Sequence, residues 1–256
     1  MNVVVLAKWV PEPQGTPSLG PDHLLVRDGA DGALDPGDEI GLEAALQLVE
    51  REGGEIIVVS MGPEVASAAV QRALAMGAHR GVLVTDDALR GADTLATARV
   101  LAAAVGHAGH PDLVIAGVES TDGYTGTLPA TVAELLELPS VTFARALDVA
   151  DGVIRAERQT ATGYDVVTCP LPAVVTLTAG ATEPRYPSLK GVMAAKQKPF
   201  DRLTVADLGL DAAALTPTQR VATVEAAPTK AGGETIDAGE DAVARIADLL
   251  AEAKVI

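Results

Sequence analysis

Short runs of aliphatic and β-branched residues alternate along this chain with longer, Ala-rich stretches whose apolar positions recur every three or four residues. Residues 3–7 are followed by 41–51, 55–60 by 63–76, 81–84 by 93–105, and 113–116 by 127–136. The short runs predict strands and the long ones helices, and that alternation predicts a parallel sheet with helices on both faces. The strand runs are apolar throughout rather than at every second position, as strands buried on both sides are. Beyond Leu138 the rhythm changes to strand-like segments at 140–149, 153–160 and 164–168, the first two joined by a turn at Asp151-Gly152. These predict an antiparallel extension that returns to a last core strand at 173–177. The fold class that follows is α/β, a mostly parallel, doubly wound sheet with an antiparallel extension.

From Thr178 onward regular patterning thins out. Residues 201–211 predict one helical turn, 221–224 a further strand, and 241–253 a terminal helix with Val243, Ile246, Leu249 and Leu250 as its apolar stripe. The stretch 216–239 is rich in Pro, Thr, Ala and Gly. A tail this long without a core of its own predicts an arm that docks on a partner subunit. Before it lies "EPRYPSLKGVMAAKQKP", which sets Arg185, Lys190, Lys196 and Lys198 around the apolar Tyr186, Leu189, Val192 and Met193. Leu189 and Met193, four apart, would share one face of a short helix. Three parts are expected: a nucleotide-binding α/β domain at 1–182, a recognition loop at 183–199 and an arm at 200–256.

Composition narrows the function classes. The 256 residues are 48% hydrophobic and 21% charged, which suits a large buried core. A net charge of −16 argues against sequence-independent binding to nucleic acid, and no zinc-finger, RRM or helix-turn-helix signature occurs. The longest apolar runs fall far short of the roughly 20 residues that cross a bilayer, so no membrane insertion is expected. Without a secretory signal in view, the cytoplasm is the expected compartment. Cys169 is the only cysteine, which excludes an internal disulfide. Of the four histidines, only His107 and His110 lie close together, and a solvated turn accounts for them better than a metal site.

In an open parallel sheet, ligands gather at the carboxyl ends of the strands, where helix N-termini and loop amides face a common crevice. Lys8 follows the first strand here, and Ser60-Met61-Gly62-Pro63 follows the second. The strand at 113–116 runs into Gly117 to Thr127, a loop with three glycines and five hydroxyl side chains. Glycine lets backbone approach a ligand, and hydroxyls with free helix amides suit phosphate. Asp122 is placed either to bind a ribose hydroxyl or to cap the turn that follows, and Asp93 reads as a helix cap. No G-x-x-x-x-G-K-[ST] loop occurs and no G-x-G-x-x-G follows the first strand, which disfavours ATP hydrolysis and an ordinary NAD site. No nucleophile is tied by motif to a base. The residues alone describe a nucleotide-holding α/β domain without visible catalytic machinery.

Several segments in order carry a resemblance. They are "VVVLAKWVPEP" at the N-terminus, "VVSMGPEVASAAVQRALAMGAHRGVLV" from Val58, "GADTLATARVLA" from Gly91 and "DLVIAGVESTDGYTGTLPATVAELL" from Asp112. "ERQTATGYDVVTCPLPAVVTL" from Glu157 and "EPRYPSLKGVMAAKQKP" from Glu183 complete the series. The chain resembles the beta subunits of electron transfer flavoprotein, the FixA type, over nearly its whole length. That resemblance implies an adenine-nucleotide alpha-hydrolase-like fold and a heterodimer with a homologous alpha subunit. The alpha subunit would hold most of the contacts to a redox-active FAD, and this chain would hold AMP. It implies an electron carrier with no substrate chemistry of its own, accepting electrons from flavin dehydrogenases such as the acyl-CoA dehydrogenases of fatty acid β-oxidation. A membrane quinone oxidoreductase would receive them. Some relatives bifurcate electrons and hold a second FAD in place of AMP; a nucleotide-sensing α/β domain is the reading from another class.

Carried over residue by residue, the resemblance puts Ala7 and Lys8 near the adenine or ribose, Ser60, Met61 and Gly62 in the second loop, and Glu119 beside the ligand. Asp122, Thr125, Gly126 and Thr127 would surround the phosphate. Tyr186, Leu189, Met193 and Lys196 fall in the partner-recognition loop, with Leu189 as the anchor. Two places depart from the family pattern. Asp35-Pro36-Gly37-Asp38-Glu39 stands where members often carry Asn, and an aspartate beside a phosphate would repel it. Ala161-Thr162-Gly163 replaces an acidic-glycine turn.

Overall fold

The computed structural model describes residues 1–12, 15–27, 29–225, 227, 233, 235–239 and 241–256. In chain order the elements are β1 (Asn2–Leu6), β2 (Trp9–Pro11), β3 (Gly32–Leu34), α1 (Pro36–Glu52), β4 (Glu55–Met61), α2 (Ser67–Met76), β5 (Arg80–Val84), α3 (Thr94–Ala108), β6 (Leu113–Gly117) and α4 (Leu128–Leu135). Then come β7 (Ser140–Ala150), β8 (Val153–Thr160), β9 (Gly163–Pro170), β10 (Ala173–Leu177), α5 (Leu189–Ala195), β11 (Phe200–Leu203) and α6 (Ala242–Glu252). Two compact units result, Met1–Val221 and Ala222–Ile256.

The main sheet runs β11-β5-β4-β1-β6-β10-β7-β8-β9. Every pairing from β11 to β7 is parallel, and β7, β8 and β9 pair antiparallel. β1 lies at the centre of the seven parallel strands, with Val3 beside both Ile56 and Leu113. Its side chains alternate between two cores. Val3 and Val5 join Ile56, Val58, Leu113 and Ile115 beneath α1 and α2. Val4 and Leu6 join Ile57, Val59, Val114 and Ala116 beneath α3 and α4. Each fully buried Val, Leu or Ile contributes about 1.5–3 kcal/mol, so a strand apolar on both faces is stable only between two helical layers. This is the doubly wound α/β sheet that the sequence pattern predicts.

Local chemistry sets the element ends. α1 begins at Pro36 rather than residue 41, because Asp35 caps it, accepting from the Gly37 amide at 2.9 Å, and Pro36 suits the first turn. Asp93 caps α3 by accepting from the Ala96 amide at 2.9 Å. The β7–β8 turn places Asp151 and Gly152 at φ of 51° and 75°, the left-handed pair that a tight hairpin demands.

Three features differ from the sequence expectation. Trp9 to Pro11 pairs antiparallel with Gly32 to Leu34, a small ribbon too short to leave a periodic signature. Residues 200–203 form an edge strand beside β5 instead of entering a helical turn at 201–211. Arg80 fastens this strand through Asp201 at 2.7 Å, and the Arg202 guanidinium lies over the Phe200 ring. Residues 221–224 form no strand. The segment from β11 to Val221 therefore belongs to the first unit, although the arm is expected to begin at residue 200. The second unit contains α6, the predicted terminal helix, with Val243 and Ile246 exposed. Residues 226, 228–232 and 234 of the predicted 216–239 stretch, and Pro13 of the N-terminal motif, lie outside the described residues. Among the described residues no helix is long and apolar enough to cross a membrane.

Candidate functional site

β1, β4 and β6 are neighbours, so their carboxyl ends deliver three loops to one edge of the sheet. A cleft of about 750 Å3 opens there. Its floor is Leu6, Ala7, Met61 and Ala116; Gly117 to Ser120, Gly123, Thr125 and Gly126 form one wall, and Asp93, Thr94 and Thr97 at the start of α3 form another. A volume of that order suits a nucleotide-sized ligand.

Two buried aspartates near the start of α1 shape the floor. Asp38 accepts from the Lys8 amide at 2.8 Å and the Gly117 amide at 3.2 Å, tying the ends of β1 and β6 together. Burial, then the charge of neighbouring Asp35, push the Asp38 carboxyl up to about 8 against those two amides and the Lys8 charge. Asp35 is fully buried and accepts from the Thr121 amide at 2.7 Å and its hydroxyl at 2.8 Å. Asp35 is turned inward as a cap and clamp and is absent from the lining, although Asp38 of the same segment belongs to it. Gly117 packs tightly here: a Cβ would stand 3.0 Å from Asp38 Oδ1 and 3.1 Å from the Gly37 carbonyl carbon, so these groups would have to give way.

The loop after β6 is held by charge. Asp122 receives Lys8 Nζ at 2.6 Å and Arg27 at 2.5 Å, and Lys8 also donates to Ser120 Oγ at 3.2 Å. Burial opposes ionisation of Asp122, but Lys8, Ser120 and Arg27 prevail and hold it below the usual carboxylate range. Gly126 adopts φ of 62°, a left-handed turn just before α4. The cleft is completed from the far end of the chain. Thr218 donates its amide and hydroxyl to Asp93 at 2.7 and 2.8 Å, which lays residues 217–221 along the rim with Gln219 and Arg220 in the lining.

Of the residues expected to contact a nucleotide, the fold gathers Ala7, Lys8, Met61, Glu119, Thr125 and Gly126 in this lining. Ser60, Gly62, Asp122 and Thr127 lie outside it. Ser60 is fully buried, and its hydroxyl is the one buried side-chain polar atom among the described residues without a hydrogen-bond partner. Gly62 donates its amide to Val84 O, Asp122 faces Lys8 and Arg27, and Thr127 opens α4, its carbonyl accepting from Thr131. Sequence reasoning missed Thr97 and residues 217–221, and read Asp38 and Thr94 only as members of family motifs. Asp93 was legible as a cap; nothing local signals its second partner 125 residues away. The amides of the glycine-lined wall and the hydroxyls of Ser120, Thr125, Thr94 and Thr97 are donors of the kind a nucleotide needs, so the residues present fit that group.

A second surface lies away from the cleft. Arg185 grips α1 through Glu43, at 2.8 and 2.9 Å, and through Glu50, at 2.5 and 3.1 Å. Ser188 caps α5 by accepting from the Gly191 amide, and Gly191 passes so close to α2 that a Cβ would meet Ala75 O at 2.3 Å. Lys198 closes the segment, donating to Leu74 O and Ala78 O at the end of α2. Between these anchors Tyr186 is 89%, Leu189 82% and Met193 60% exposed, with Lys196 also at the surface.

Fold and site together define a doubly wound α/β protein with a nucleotide-sized cleft at the carboxyl edge of its sheet and a clamped, apolar surface helix. The family model that matches is the electron transfer flavoprotein domain, over residues 22–208. An electron transfer flavoprotein subunit beta from Mycobacterium leprae is 39% identical over 100% of this chain and 99% of its own. One from Thermoanaerobacterium thermosaccharolyticum is 36% identical over 91% of each chain, and the caffeyl-CoA reductase-Etf complex subunit CarD of Acetobacterium woodii is 36% identical over 92% of each. The chain belongs to the electron transfer flavoprotein family, with the beta subunits.

Proposed function

We propose that this chain is the nucleotide-holding beta subunit of an electron transfer flavoprotein heterodimer. The observation that carries the reading is the convergence of the β1, β4 and β6 loops on one glycine- and hydroxyl-lined cleft, in a chain of this family. AMP is the ligand proposed for the cleft. Ala7 and Met61 offer an apolar floor for the base, and the Gly117–Thr127 loop offers amides and hydroxyls for ribose and phosphate. Lys8 orients that loop through Asp122.

FAD, held mainly by the alpha subunit and shared at the interface, supplies one- and two-electron redox chemistry when bound. What this chain contributes is a scaffold and a docking surface. Tyr186, Leu189 and Met193 present an apolar knob rimmed by Lys190 and Lys196, suited to an apolar pocket with an acidic rim on a dehydrogenase of the acyl-CoA or another flavin class. A quinone oxidoreductase is the proposed acceptor, and α6 and its unit form the arm that packs on the alpha subunit. In this reading the chain catalyses no substrate chemistry.

A second reading, a larger dinucleotide such as a further FAD in the cleft, draws on the cleft's volume and on Thr94 and Thr97 in its lining. Co-expression with the alpha subunit tests both. The first reading expects a yellow heterodimer that releases AMP on denaturation. A colourless complex sinks the carrier reading, and two flavins per heterodimer with no AMP favour the second.

A further inference from the structure

An anionic ligand in this cleft needs a cation, and the charges around it leave one candidate. The charged residues of the lining are Lys8, Asp22, Asp38, Asp93, Glu119 and Arg220. Lys8 is engaged by Asp122 and Ser120. Asp93 is engaged by the Ala96 amide and by Thr218, and Asp22 pairs with Arg90. Glu119 adds a further carboxyl to the lining. Arg220 alone among the lining's cations has no hydrogen-bond or ion-pair partner among the described residues.

Its backbone is not adrift. Thr218, two residues earlier, is fixed to Asp93 by two hydrogen bonds, and Leu215 is buried in the core beneath α3. Arg99 of α3 donates to Ala214 O at 3.0 Å, fastening the same segment from outside. An unpaired guanidinium at the rim of a cleft rich in carboxyls, carried on an anchored segment, is an anion-receiving group.

We propose that Arg220 receives the phosphate of the nucleotide in this cleft, so that the ligand is held between the loops of the sheet and the segment at 217–221. The inference rests on the nucleotide reading and deepens it. It makes the segment leading to the C-terminal unit part of the binding site.

The heterodimer, freed of endogenous nucleotide, is titrated with AMP and with adenosine, which lacks the phosphate. The native complex is expected to prefer AMP. Arg220→Gln should weaken AMP by about ten- to a hundredfold, the range of a hydrogen bond to a charged group, and leave adenosine within about twofold. Arg220→Lys should keep part of the preference, since it retains charge without the fork. An equal loss of both ligands in Arg220→Gln, or no loss of either, overturns the assignment to Arg220 while the nucleotide reading stands. A native complex that binds neither ligand overturns the nucleotide reading and this inference with it.

Discussion

The cleft and the 183–199 segment solve opposite problems with similar parts. In the cleft, polar groups are drawn inward and paired: Asp35 and Asp38 are buried, and each accepts from loop amides. On the 183–199 segment charged groups are used as anchors at the two ends, and the apolar groups between them are left in water. Burying a carboxyl is costly and is tolerated where it fixes a shape; exposing Tyr186, Leu189 and Met193 wastes burial unless something else covers them. Under the proposed function, the difference separates a surface built to enclose a small polar ligand from one built to meet another protein briefly.

The sharpest way to break that contrast is to remove a buried carboxyl. The native state holds the Asp38 proton up to about pH 8, whereas the unfolded chain releases it near 3.8. Between those values the unfolded state binds fewer protons, so stability falls as pH rises and levels off above about 8. The slope is at most about 1.4 kcal/mol per pH unit. Asp38→Asn should flatten it, gaining on the native chain as pH goes from 5 to 8 in urea melts. Parallel pH profiles for the two proteins would show that Asp38 is ionised throughout.

The anchor of the other surface comes next. Arg185→Ala leaves buried Glu43 with only Gln47 and the backbone amide of residue 185, without a cation, and should cost about 1–3 kcal/mol. Hydrogen exchange in 186–196 should rise at the same time. Unchanged exchange would mean that α5 holds its place without the clasp. Gly126→Val forces a β-branched residue into a left-handed turn, a strain of about 1–2 kcal/mol concentrated in the cleft wall. Nucleotide content of the purified heterodimer should fall; full content at normal yield would remove that turn from the site. Leu189→Ala touches nothing buried and should change stability by less than about 0.5 kcal/mol in thermal or urea unfolding.

Much of the fold was legible because it depends on periodicity over long elements. The apolar runs at 55–60 and 113–116 become β4 and β6 because any other placement would strand apolar faces in water. β2, β3 and β11 were not legible, since strands of three or four residues carry too few positions for a pattern, and pairing with existing neighbours stabilises them. At the cleft, the glycines and hydroxyls of the Gly117–Thr127 loop stood out because turn chemistry is local. The burial of Asp35 and Asp38, and the return of residues 217–221 to α3, are tertiary facts with no local trace. The basic stretch at 183–199 reads as soluble linker by charge alone; only the fold shows Arg185 and Lys198 turned inward as anchors.

The claim that the two surfaces do separate work is tested most directly by the apparent KM of a flavin dehydrogenase for the heterodimer carrying Leu189→Ala, with its AMP and flavin content measured on the same sample. One buried leucine is worth about 2 kcal/mol, so KM should rise by up to roughly thirtyfold while AMP, flavin and kcat stay at native levels. An unchanged KM, or a loss of AMP with the leucine, would contradict it.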